Sequence, residues 1–162
     1  MNPAALPRLN SRRNARGIYA LEFGFVFLIF FALLYATICY GVLLTLRSGL
    51  QHAAEEGARA GLRYQKVASG SQLPLRRAKA AEVAALRVGG WFAAAPVVVA
   101  QICQPETGNC VTPVCNATWA GRCQIVVNVT ASGLNEMMPL FHFAMPDTLT
   151  GRASMLLDGR AS

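Results

Sequence analysis

Glu22 is the only residue charged at neutral pH in the apolar run Ile18–Leu46, and it stands five residues after Gly17. A carboxylate inside a membrane span costs roughly 2.5–3.5 kcal/mol at mid-bilayer and less near an end, so it marks a functional position. The chemistry open to it is the neutralisation of a nearby amine. A second group is Cys103, Cys110, Cys115 and Cys123, four cysteines within 21 residues, suited to disulfides or to a metal. Other reactive side chains are isolated. His52 and His142 each lack a second histidine nearby and read as structural, and Glu55 with Glu56, adjacent in sequence, read as solvated. No G-x-S-x-G, H-E-x-x-H, phosphate-binding glycine loop or Rossmann fingerprint occurs. No catalytic residue, cofactor or metal is expected.

The run that holds Glu22 is 29 residues long, and about 20 apolar residues suffice to cross a bilayer. It leaves Arg47–Ser162, 116 residues, enough for one small core and too few for two. The net charge of +7 divides unevenly. Arg8, Arg12, Arg13 and Arg16 lie ahead of the run with no acidic residue among them; without these four, 11 basic and 8 acidic residues remain, net +3. Basic residues flanking a span resist translocation, so they hold the N-terminus in the cytoplasm. No basic-aromatic motif accompanies the charge, which argues against nucleic acid as a partner. A secretory signal peptide fits poorly, because its apolar core is about 7–15 residues and ends at an A-x-A-like site. Bulky Ile38 before Cys39 likewise argues against lipid attachment at that cysteine.

These elements need a scaffold. Residues 1–17 form a basic leader, 18–46 the membrane helix and 47–162 the remaining α+β domain. No proline occurs between Pro7 and Pro74, so the helix from Ile18 is expected to run on through Val67, as a rod of about 75 Å with Ser48-Gly49 its weakest point. The extension, 47–69, is amphipathic. On it Ala53, Gly57 and Gly61 recur at four-residue spacing, as do Ala54 and Ala58. Such stripes let helices approach closely. Their neighbour is either a helix of another subunit or this protein's own sheet. Gly70 suits a helix end and Pro74 a new first turn, which predicts a second helix over 74–88, stopped by Gly89-Gly90. The β-branched runs Pro96–Cys103 and Cys123–Thr130, with Leu149–Leu157, predict a small antiparallel sheet within 96–157. The segment NEMMPLFHFAMPD, broken by Pro139 and Pro146, is expected to be a packed loop.

Spacings of six, four and seven intervening residues between the four cysteines match no common zinc knuckle at both ends, which favours disulfides in an oxidising compartment. Four cysteines allow three pairings. The mirror of QIC and CQI at two strand ends favours Cys103 opposite Cys123, with Cys110–Cys115 nested at the loop tip. Asn116-Ala-Thr118 and Asn128-Val-Thr130 match the glycosylation pattern, which means little in a bacterial host.

Three stretches carry a resemblance to the TadE-like family, the minor pseudopilins of tight-adherence (Tad/Flp) type IV pilus systems. They are RRNARGIYALEFGFVFLIFFALL (Arg12–Leu34), LQHAAEEGARAGL (Leu50–Leu62) and, more weakly, Leu149–Leu157. The basic leader, the glycine and the glutamate five residues on resemble a class III signal. The resemblance implies a type IV pilin-like fold, with Gly17 before the bond cut by a prepilin peptidase. Ile18 would be the mature N-terminus, open to N-methylation, and Glu22 the carboxylate that accompanies assembly. Phe23 stands where the major Flp pilins resemble Glu-Tyr, which favours the pseudopilin over the major subunit. The implied partners are the prepilin peptidase, other pilin-like subunits, an inner-membrane assembly platform and the lipid bilayer. The implied place is the bacterial inner membrane, single-pass, with the C-terminal domain in the periplasm. The rival readings are an uncleaved membrane scaffold of an envelope complex and, as a variant, a pseudopilin of a type II secretion system; an envelope enzyme is more distant.

Overall fold

The structure is a computed structural model that describes residues 15–63, 70–90, 94–119, 121–134 and 146–157, the side chains of 15–18 apart. The order of elements is α1 (Ala15–Leu62), α2 (Leu73–Val88), β1 (Val97–Cys103), β2 (Gln124–Ser132) and β3 (Thr148–Leu156). The chain is α+β and divides into two compact units, Met1–Leu43 and Leu44–Ser162.

In the first unit the described part of α1 is apolar and exposed along its length. Phe23, Phe27 and Phe31 are 70, 56 and 56% exposed among the described residues. Helix α1 is long and apolar enough to cross a membrane. The helix is unbroken through Ser48-Gly49, where Ser48 Oγ donates to the Thr45 carbonyl at 2.9 Å. The helix ends at Leu62, and the expected continuation to Val67 reaches beyond the described residues.

In the second unit the remainder of α1 becomes amphipathic and buries Leu50, Ala53, Ala54, Gly57 and Ala58. Helix α2 begins one residue earlier than expected, with Pro74 in its first turn where a missing N–H costs nothing. Its buried side is a strict four-residue series, Arg76, Ala80, Ala84 and Val88. It stops at Gly89-Gly90, and Gly90 takes φ +86°, a conformation that side chains with a Cβ resist.

The sheet is antiparallel, in the order β1-β2-β3. Strand pairing aligns Val98 with Val129, Ala100 with Val127 and Ile102 with Ile125; across the other ladder Val127 faces Ala153 and Val129 faces Gly151. Strand alternation therefore gathers Ile125, Val127, Val129 and Ala131 on one side, each fully buried. On β3 buried Leu149, Gly151 and Ala153 alternate with exposed Thr150, Arg152 and Ser154. Fully burying a branched aliphatic side chain stabilises by about 1.5–3 kcal/mol, so this inner face is the main stabilising feature of the small domain. The apolar segment around His142 lies outside the described residues.

Candidate functional site

The processing and assembly candidates gather at the head of α1. Gly17 and Ile18 lie in its first turn, and Glu22 follows one turn after Ile18. Residues four apart on a helix are neighbours on one face, with Cβ atoms about 5–6 Å apart. A free amine on Ile18 and the Glu22 carboxylate would thus be placed for charge pairing within a single chain. Glu22 is exposed and has no polar partner among the described residues. Arg12 and Arg13 lie outside those residues, and Arg16 is described only as backbone within α1. Gly17 is the third residue of the helix.

Phe23 begins a ladder. Its ring stacks on Phe27 at 6.0 Å between centroids, and Phe27 on Phe31 at 6.2 Å. Cys39, further along, is a free thiol.

In the second unit the small-residue stripe has an occupant from its own chain. A Cβ on Gly57 would meet the Ala80 carbonyl oxygen at 2.7 Å and the Ala84 Cβ at 2.8 Å; one on Gly61 would collide with Ile125 and approach the Ala80 Cβ at 3.2 Å. Ala53, Ala54 and Ala58 are buried. Of the two neighbours left open by the sequence, the structure supplies the internal one, but it is α2 as much as the sheet.

Cys103, Cys110, Cys115 and Cys123 all form disulfides. Their connectivity differs from the nested expectation: the bridges are Cys103–Cys110 and Cys115–Cys123. The reason is register. Cys103 faces Gln124 across the ladder, so Cys123 lies just outside the pairing and is not opposite Cys103. Each cysteine anchored at a strand end, Cys103 at 4% and Cys123 at 3% exposure, instead turns back to the nearest cysteine of the connecting loop. Side chains stiffen the two turns. Asn109 Oδ1 accepts from the Val111 and Thr112 amides at 3.0 and 3.2 Å, and Asn116 Oδ1 accepts from the Thr118 amide at 3.0 Å. Arg122 lies 4.5 Å above the ring of Trp119, which is 70% exposed.

His52 is exposed at a cleft of about 410 Å³ also lined by Thr45, Ser48, Glu56 and Arg87. The Glu56 carboxylate there pairs with Arg59 at 3.3 Å. Among the described residues no three His, Cys, Asp or Glu side chains converge as metal ligands. Sequence reasoning passed over Gln51, Arg76 and Gly151, which prove central to the domain's packing. For Arg76 a signal existed, since it stands at the head of the four-residue series Arg76, Ala80, Ala84 and Val88.

The chain thus combines an exposed apolar helix long enough to cross a membrane with a disulfide-bridged α+β unit. The family model described as TadE-like protein matches residues 17–59, beginning at Gly17 and taking in both the carboxylate and most of the Leu50–Leu62 stretch. Over that segment the chain is similar to TadE-like proteins. No curated protein and no solved structure matches the chain.

Proposed function

We propose that the protein is a minor pilin-like subunit that supports assembly of a Tad pilus, after a prepilin peptidase cuts between Gly17 and Ile18. The observation that carries this reading is the one-turn spacing of Ile18 and Glu22 at the head of an exposed apolar helix, within a TadE-like match that starts at Gly17. Cleavage creates an ammonium at a helix N-terminus, where the backbone dipole is also positive. Glu22 offsets that charge in an environment where either charge alone is costly. Only a processed chain then buries its helix head among other pilin-like helices without an unpaired carboxylate.

The leader arginines support an orientation with the N-terminus in the cytoplasm and the second unit in the periplasm. The two disulfides suit that oxidising compartment. Positioning and packing, with no catalysis and no cofactor, are the work assigned to the subunit. Its partners are the peptidase, other pilin-like subunits and the assembly platform of the inner membrane.

Mass spectrometry of the mature N-terminus, with and without the prepilin peptidase, tests this directly. A chain beginning at Ile18 only when the peptidase is present supports the proposal. A chain that keeps residues 1–17 in both strains replaces it with the uncleaved single-pass scaffold.

A further inference from the structure

Strands β1 and β3 are the two edges of the sheet. Which way their backbone groups face follows from Gln51. It binds both the amide and the carbonyl of Arg152, so those groups point away from β2. In an antiparallel ladder such residues alternate with pairs that exchange both bonds. The alternation holds at both ends of the ladder, where the Leu157 amide donates to the Cys123 carbonyl at 2.8 Å and the Gly133 amide to that of Asp147 at 3.1 Å. Asn128, opposite Arg152, therefore turns its backbone to β1 and bonds Val99. On β1 the groups left facing outward are those of Val98, Ala100 and Ile102.

The two edges differ. On β3 Gln51 occupies Arg152, whose own charge discourages a further strand. Just past β1 the connecting loop takes both outward groups of Gln104: its amide donates to the Asn109 carbonyl at 2.9 Å, and its carbonyl accepts from the Gly108 amide at 2.9 Å. Between these fixed points the outward groups of Val98, Ala100 and Ile102 have no hydrogen-bond partner among the described residues. Val97–Cys103 carries no charge and no proline, and its register against β2 runs through seven pairs without a bulge. Val97 and Val99, on the face away from the core, are 61 and 41% exposed. The usual protections of an edge strand are thus missing from β1.

We propose that β1 receives an extended segment of a partner protein as a fourth strand of the sheet. A row of alternating donors and acceptors at strand spacing is complementary to another extended backbone, which adds by main-chain hydrogen bonds. Val97 and Val99 favour β-branched residues on the same face of the incoming segment. A second copy of β1 does not fit. Two such strands would pair antiparallel about a twofold axis normal to the sheet. Helix α1 runs along β2, with Leu50 at Gly151, opposite Val129, and Gly61 at Ile125. The twofold would make the two copies of α1 antiparallel, whereas anchoring in one membrane orients every copy the same way. The inference does not depend on cleavage at Gly17.

The test is NMR of the full-length protein in nanodiscs. The probe is a pentapeptide of alternating valine and threonine, acetylated and amidated, and the control is its fully N-methylated form. In the free protein the amides of Val98, Ala100 and Ile102 should exchange fast with solvent and those of Val99 and Gln101 slowly. The reverse pattern would overturn the assignment of the edge. Saturable millimolar binding of the probe is expected, with the three fast amides becoming protected. The N-methylated form should bind at least about tenfold more weakly, because several backbone bonds are lost at once. Ala100→Pro removes an outward N–H, which an edge strand tolerates, and should weaken binding by a similar factor. Should the proline ring strain the strand, Val99→Lys gives the same readout by removing the apolar contact beside the edge. Unchanged binding in Val99→Lys, equal binding of the two peptides, or no saturable binding would each overturn the proposal. So would a concentration-dependent dimer that either variant abolishes, since the edge would then serve a second copy.

Discussion

Gln51 of α1 holds the backbone of Arg152 on β3 at both ends. Its Nε2 donates to the Arg152 carbonyl at 3.0 Å, and its Oε1 accepts from the Arg152 amide at 3.2 Å. The side-chain amide stands in for a neighbouring strand at the edge of the sheet, satisfying two groups that would otherwise template pairing with another chain. It also ties the helix that leaves the apolar run to the last strand of the domain, 101 residues away.

Replacing Gln51 by Ala removes both bonds and leaves Arg152 to water. The expected cost is about 1–2 kcal/mol, since the site is partly exposed and water recovers part of the loss. Native-state hydrogen exchange checks it: the Arg152 amide should lose protection more than its neighbours on β3. Unchanged protection in a folded Gln51→Ala protein would show that the bridge contributes nothing.

The closest approach in the same region is steric. A Cβ on Gly151 would come within 2.5 Å of the Leu50 carbonyl oxygen and 2.7 Å of the Gln51 nitrogen, both backbone atoms that cannot step aside. Gly151→Ala should therefore separate β3 from α1 and destabilise by about 1–3 kcal/mol. Gly57→Ala meets α2 and costs less, because Ala gains about 1 kcal/mol of helix propensity over Gly; Gly57→Leu should unfold the domain. The readouts are thermal melting together with pilus assembly. Pili that form normally with a melted Gly57→Leu domain would disconnect the fold from assembly.

Much of this was legible from the chain. The apolar run, Pro74, Gly89-Gly90 and the β-branched stretches each encode local structure through a single dominant force, and the elements lie within a few residues of expectation. What escaped depends on register and on distant partners. Cys103 opposite Gln124 decides the disulfides, yet a shift of one residue is invisible in a symmetric QIC/CQI pair. The small residues of α1 announce close packing without saying against what, and only the placement of Ala80 and Ala84 answers that. Nothing in the sequence sets Gln51 apart, because its partner Arg152 lies 101 residues away. At the helix head Gly17, Ile18 and Glu22 were legible because their spacing along the chain is itself the geometry.

The disulfide connectivity gives a clear chemical prediction. Digestion of unreduced protein after Glu106 and Arg122 separates three fragments, which hold Cys103, Cys110 with Cys115, and Cys123. The observed pairing keeps all three joined, whereas the nested pairing would release the middle fragment. Further cleavage within Val111–Val114 should split the product into a Cys103–Cys110 piece and a Cys115–Cys123 piece. Each bridge closes a short loop, so replacing either pair by serine should cost about 2–3 kcal/mol. Chemical denaturation measures that loss.

Arg76 should behave unlike an ordinary core residue. Truncating a buried side chain commonly destabilises by a few kcal/mol, because it removes apolar contact and leaves a cavity. Arg76 is different: two of its buried nitrogens are unpaired, so its removal also relieves a desolvated charge. Replacing buried ionic groups by apolar residues of similar volume is often neutral or stabilising by about 1–4 kcal/mol. Arg76→Met keeps an unbranched apolar stem at this buried position while deleting the charge. The variant is expected to unfold at equal or higher denaturant concentration than the natural protein. A large loss of stability would mean that the guanidinium is satisfied by its surroundings.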